Sequence, residues 1–138
     1  MPLEARVLEL AHGKNLASVT TLLPDGTPMT QPLWVDADDE HVLLNTEVHR
    51  QKFKNVSRDP RVTVLIVDPE APQLYVEVRG QVVDSVTGPE AREHIDVLAQ
   101  KYTGGNYRNA IQSERVILKI APDRQYVREP AHYSRADD

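Results

Sequence analysis

Cysteine is absent from all 138 residues, which excludes a disulfide framework, a thiolate zinc site and a cysteine nucleophile. The same absence fits a reducing compartment, and a cytoplasmic protein is expected. Long apolar runs are missing too: none approaches the ~18 residues of a membrane span, and Met1-Pro2-Leu3-Glu4-Ala5-Arg6 has no signal-peptide core. Positive charge is in deficit, with 16 Lys and Arg against 21 Asp and Glu and a formal net charge of -5. Coating nucleic acid requires many cations to neutralise phosphates, so neither nucleic acid nor membrane is an expected partner. A single phosphate-bearing ligand remains compatible with this balance.

What is present fits one domain over residues 1–138, with 40% hydrophobic residues to build a modest core and a loose tail from about residue 129, clearest over 134–138. Leu3, Val7 and Leu10 recur at helical spacing, with Pro2 as a first helical position and Gly13 as a stop. A strand over 15–23 meets Pro24-Asp25-Gly26-Thr27, a reversal, and returns over 29–35. Met29, Gln31, Leu33 and Val35 share one face of that arm. Pro32 marks an edge or a bulge, because it lacks an N–H for the ladder. Further strands fit 41–45, 61–67, 74–86, 115–120 and 125–128, and Thr46 is placed to cap a helix. Thr87-Gly88-Pro89-Glu90 has the form of a capping box, followed by Ala91, Ile95, Leu98 and Tyr102 at helical spacing until Gly104-Gly105. The links between strands are too short for parallel crossovers. The expectation is a mainly β fold: antiparallel strands closing into a small barrel, with flanking helices.

The richest segment runs from Thr46 to Arg61, a basic stretch in an acidic chain. At about 100° per residue, His49, Phe53 and Val56 form one helical stripe, and Lys52 lies roughly 60° from its middle. Lys52 therefore points partly inward, Arg50 sits at the boundary, and Lys54 and Arg58 face solvent. A lysine beside an apolar stripe either snorkels or meets an anion. A helix starting directly after a strand sets its free N–H groups and positive dipole end beside the same cations, which favours the anion. His12, His41, His94 and His132 are scattered without ligand spacing, so no metal site is expected. Asp38-Asp39-Glu40 reads as a solvated turn, and residues 102–107 as a helix stop with a mobile loop over the site.

Thr46, Arg50, Lys52 and Asn55, followed by Arg58-Asp59-Pro60-Arg61-Val62 and a β-run, resemble the FMN-binding split-barrel family related to pyridoxamine 5′-phosphate oxidase, and especially its deazaflavin-dependent branch. Ala17-Ser18-Val19-Thr20-Thr21, Gln31-Pro32-Leu33-Trp34-Val35, Val76-Glu77-Val78-Arg79-Gly80-Gln81-Val82 and Glu114-Arg115-Val116-Ile117-Leu118-Lys119-Ile120 follow in the family's order, over roughly residues 3–128. The resemblance implies a six-stranded split barrel and a homodimer with cofactor sites at the interface. It further implies that Arg50 and Lys52 hold the cofactor phosphate, that Asn55 supports them, and that Leu44, Asn45 and Thr46 pass close by. Met29, Thr30, Gln31, Pro32 and Leu33 would lie along the ring. Trp34 reads first as a core or interface aromatic.

The implied activity is an F420-dependent reductase passing a hydride to an electron-poor small organic substrate, with FMN as the alternative cofactor. The catalytic residues stay open: Tyr75, Tyr102, Tyr107, His49 and solvent are all candidate proton sources. The chain ends without the Trp and Arg pair expected of a true pyridoxamine phosphate oxidase, so that reaction is not expected. A non-catalytic flavin or deazaflavin carrier, a haem-binding relative and a protein-recognition barrel remain as readings that the fold does not separate.

Overall fold

The computed structural model describes residues 1–130; residues 131–138, which include His132 and most of the expected tail, lie outside that description. The elements are α1 (Ala5–His12), β1 (Ala17–Leu22), β2 (Pro28–Leu33), β3 (Asp36–Ala37), β4 (Val42–Glu47), α2 (Gln51–Arg58), β5 (Arg61–Val67), β6 (Tyr75–Val86), α3 (Pro89–Thr103) and β7 (Arg115–Arg128). All pairings are antiparallel, in the order β2-β1-β5-β6-β7-β4-β3. The sheet curls into a half-barrel. Its class is the expected one, and the seventh strand is the two-residue β3.

Full closure, by contrast, does not occur: β2 and β3 remain as edges. Pro28 and Pro32 remove two ladder donors from β2, and β3 is too short to template another strand, so both edges are blunted. The edge reading of Pro32 therefore holds. The 115–120 and 125–128 segments are one continuous strand, because an extra β7 residue, Asp123, is taken up at the register shift where Pro122 faces Gly80.

Alternation along β5 and β6 turns Val62, Val64, Ile66, Val76 and Val78 inward, where Val7, Leu10 and Ala11 of α1 cover them. The helix begins at Ala5 rather than Pro2: Glu4, at φ −60° and ψ 147°, is still extended, and the Leu3 N–H is donated to Asp39 O. The expected capping box is replaced by Gly88, at φ 81°, with Pro89 opening α3 and no side-chain cap. Thr46 likewise caps nothing: β4 continues through Glu47 by pairing with Val116 and Arg115, and Arg50 stands at the start of α2. Gly104, at φ 80°, stops α3 as expected. Glu129 pairs with Arg6 at 2.6 Å, so the start of the expected tail is tied to α1.

Candidate active site

β4 is buried on both faces, and this creates the site. Val42 and Leu44 enter the core, while Asn45 and Glu47 are covered by α3 and by the loop preceding β7. Burying Glu47 is costly unless its charge is met. Its Oε1 accepts from Gln112 N at 2.7 Å and Ser113 N at 2.8 Å. Its Oε2 has no hydrogen bond but lies 3.5 Å from Arg115 Nη1 and 3.7 Å from Arg50 Nη2. Burial opposes ionisation, yet the two amides, Arg115 and His49 hold the Glu47 carboxyl below the usual glutamate range.

Beside this carboxylate opens a cleft of about 270 Å³. Arg50, Lys52 and Arg115 supply its cations, Asn45 and Thr46 part of its polar wall, and Pro32, Leu33 and Trp34 a less polar one. Lys52 is only 8% exposed, on the buried side of α2 with Asn55 and Val56. Among the described residues it has no carboxylate or hydrogen-bond partner. Burial first, then repulsion from Arg50 and Arg115, pulls its ammonium below the usual lysine value. Burial likewise lowers the Arg115 guanidinium, against the attraction of Tyr107 and Glu47. Three cations facing one already engaged carboxylate make the cleft a receptor for a multiply charged anion.

Of the residues expected from sequence, Pro32, Leu33, Asn45, Thr46, Arg50 and Lys52 come together at the cleft. Met29, Thr30 and Gln31 lie further along the β2 edge, outside its lining, and Leu44 packs in the core. Asn55 stands behind: it donates to Thr21 Oγ1 at 3.0 Å and accepts from Gln51 Nε2 at 2.8 Å, pinning α2 to β1. Lys54 and Arg58 are exposed as expected, and Arg58 also donates to Leu22 O. His49 is not on the helical stripe, because α2 starts after it; its ring meets Ser113 Oγ at 2.5 Å.

Arg115, Trp34 and Tyr107 also line the cleft: Arg115 had no role expected from sequence, Trp34 read first as a core or interface aromatic, and Tyr107 was named only as a candidate proton source. Trp34 stacks on Tyr102 at 5.1 Å and 4°, Tyr107 meets Trp34 edge-on at 6.2 Å, and Arg115 lies over the Tyr107 ring at 5.1 Å. The signals for Arg115 were a charge heading an apolar β-run and its place in the Glu114–Ile120 segment that carries the resemblance, neither of which assigned it to the phosphate. Of the candidate proton sources, Tyr107 is at the cleft. Tyr102 is committed, its hydroxyl donating to Asn15 O at 2.5 Å and accepting from Val35 N at 3.1 Å, and Tyr75 packs near Tyr126.

A curled antiparallel half-barrel with a cationic cleft invites comparison with proteins of like form. The sequence pattern of the family described as pyridoxamine 5′-phosphate oxidase matches residues 3–128. The chain belongs to that family. An F420 reductase is a structural relative of this family member, with TM-score 0.76, 29% identity and 86% of this chain and 94% of that one covered. A conserved hypothetical protein from Mycobacterium tuberculosis matches with TM-score 0.72 and 26% identity, covering 97% and 92%. General stress protein 26 from Bacillus anthracis, at TM-score 0.67, 19% identity and 91% and 92% coverage, shares the fold. No curated protein matches the chain. These relationships make it a member of a flavin-type oxidoreductase family. No helix among the described residues is long and apolar enough to cross a membrane.

Proposed function

We propose that the protein is an F420-dependent oxidoreductase acting on an electron-poor small organic molecule. The observation carrying this reading is Lys52, a buried cation without a partner among the described residues, at a cleft it shares with Arg50 and Arg115. An unpaired buried ammonium is unfavourable, and a cofactor phosphate supplies the missing countercharge. The likeness to an F420 reductase favours the deazaflavin. FMN is the second reading, favoured by the family match, because its phosphate suits the same three cations.

In this reading Lys52, Arg50 and Arg115 bind the phosphate, Asn55 fixes the angle of α2, and Leu33 and Trp34 shield the ring from water. Backbone groups from Met29, Thr30, Gln31, Pro32 and Leu33 line its edge, and Leu44, Asn45 and Thr46 form the strand passing beneath. Bound in reduced form, the deazaflavin supplies the hydride; the chain contributes alignment of donor and acceptor and exclusion of solvent. Tyr107 is the ionisable hydroxyl nearest the cleft's open space.

The cleft is smaller than the ~300–1,000 Å³ of pockets that enclose a whole ligand, and Leu16 on its rim is 59% exposed. We infer that a second copy completes each site, giving a homodimer; sedimentation showing only monomer at micromolar concentration would count against it. The decisive test of the cofactor is titration of purified protein with F420 and with FMN, repeated on Lys52→Ala. Failure of both to bind, or binding indifferent to Lys52, overturns the reading.

A further inference from the structure

Behind the cleft an unbroken line of side-chain contacts leads from β3 through α3 and β4 to β7. His94 Nε2 meets Asp36 Oδ2 at 3.1 Å, His94 Nδ1 meets Asn45 Nδ2 at 3.1 Å, and Asn45 Oδ1 accepts from Arg115 Nε at 2.8 Å. Asn45 and Arg115 are each 6% exposed. The orientation of the Asn45 amide follows from two independent neighbours. Ala91 O, 3.0 Å from Nδ2, is an acceptor and requires the NH₂ there. Arg115 Nε–H is a donor and requires the oxygen on its side. With both ends of Asn45 set, His94 Nδ1 faces a donor and must accept, so the ring's proton sits on Nε2 and is donated to Asp36.

We propose that His94 is a positioning residue which, acting through Asn45, aims Arg115 at the cleft's anion only while its ring is neutral. A proton added at Nδ1 sets N–H against N–H. Asn45 then either turns its oxygen to His94, leaving Arg115 Nε facing an NH₂ group, or loses its bond to the ring. The first breaks the contact that orients the Arg115 guanidinium; the second frees one side of the Asn45 amide, so that this contact is held through Ala91 O alone. Anion binding and protonation of His94 therefore oppose each other, a coupling that is reciprocal by linkage.

Among the described residues, Asp36 is the charged group in contact with the ring. Asp36 accepts from Nε2 whether or not the ring is charged, so the change falls on Nδ1. Lys101, two turns along α3, bears on Asp36, and on the far side of Asn45 stand Arg115 and Glu47.

This inference rests on the anion-binding reading of the cleft, and its test separates the two. Affinity for FMN and for F420 is measured from neutral to mildly acidic pH in wild type, His94→Phe, His94→Gln and Lys52→Ala. His94→Phe, which offers Asn45 no acceptor, is expected to bind about five-fold more weakly at neutral pH, the worth of one ordinary hydrogen bond. His94→Gln, whose side-chain oxygen accepts where Nδ1 did, recovers part of that loss. It also lacks the wild type's extra weakening on acidification, beyond what titration of the FMN phosphate causes in every variant. Lys52-dependent binding with the same pH profile in wild type and His94→Gln overturns the inference and leaves the reading standing. Absence of Lys52-dependent binding overturns both. Nitrogen NMR of the free protein provides a readout that needs no ligand: a neutral His94 ring carrying its proton on Nδ1 overturns the inference alone.

Discussion

Lys52 and Lys54, two positions apart on α2, face opposite media: Lys52 is buried against the cleft and Lys54 is in water. The helix turns by about 100° per residue, so a step of two residues carries a side chain most of the way to the other side. Charge and length are equal in the pair, which makes it an internal control for the cofactor-binding argument.

Lys52→Ala is expected to weaken F420 or FMN binding by roughly 1.5–3 kcal/mol, about one to two decades, as for loss of a charged donor. Lys54→Ala is expected to leave affinity nearly unchanged. The free protein should respond in the opposite sense, because Lys52→Met removes an unpaired buried cation and so raises the melting temperature. Titration calorimetry and thermal melts on the same preparations check both halves, and equal loss of affinity from the two alanine variants would overturn the assignment.

Glu47 predicts an acid dependence. Its carboxyl is lowered from 4.5, so the folded state favours the ionised form. That stabilisation is fully present above pH 4.5 and is lost as pH falls below it, through the lower folded value. Glu47→Gln is expected to cost about 1–3 kcal/mol at neutral pH, since two arginines lose their buried countercharge. Urea unfolding at stepwise lower pH should show the gap between variant and wild type closing. A gap that does not narrow at all as pH falls below 4.5 would contradict the electrostatic account.

Gly80 predicts a packing limit. A Cβ at this position would lie 2.1 Å from Ala121 O in the facing strand, at the register shift that takes up Asp123. The backbone conformation is ordinary; the obstacle is space. Gly80→Ala is expected to destabilise by about 1–3 kcal/mol or more, as overpacking does, and to lower the melting temperature. An unchanged melt would mean that β6 and β7 separate more readily here than their pairing implies.

How much was legible beforehand follows from how local each determinant is. The hairpin at Asp25 and Gly26, the stop at Gly104 and the edge at Pro32 depend on the conformations or donors of single residues. The inward set of Lys52 depends on helical period alone, so shifting the helix start from Thr46 to Arg50 left it intact while removing His49 from the stripe. The capping role expected of Thr46 failed for a distant reason: β7 pairs with β4 through Thr46 and Glu47, extending the strand past the expected cap. Arg115 lies 70 positions from Asn45, and nothing in either neighbourhood indicates that they will meet.

The chain's order of residues determined most of the strands and helices, the blunted edge at Pro32, and which lysine of α2 turns inward, because these depend on periodicity and backbone freedom within a few residues. Only the tertiary structure decided that Glu47 is buried, that Arg115 joins Arg50 and Lys52, and that Trp34 and Tyr107 become walls. Each of those outcomes requires α3 and the loop before β7 to cover the second face of β4. That burial is settled by packing between distant segments, where the free energy of a charge depends on what surrounds it rather than on its neighbours in the chain.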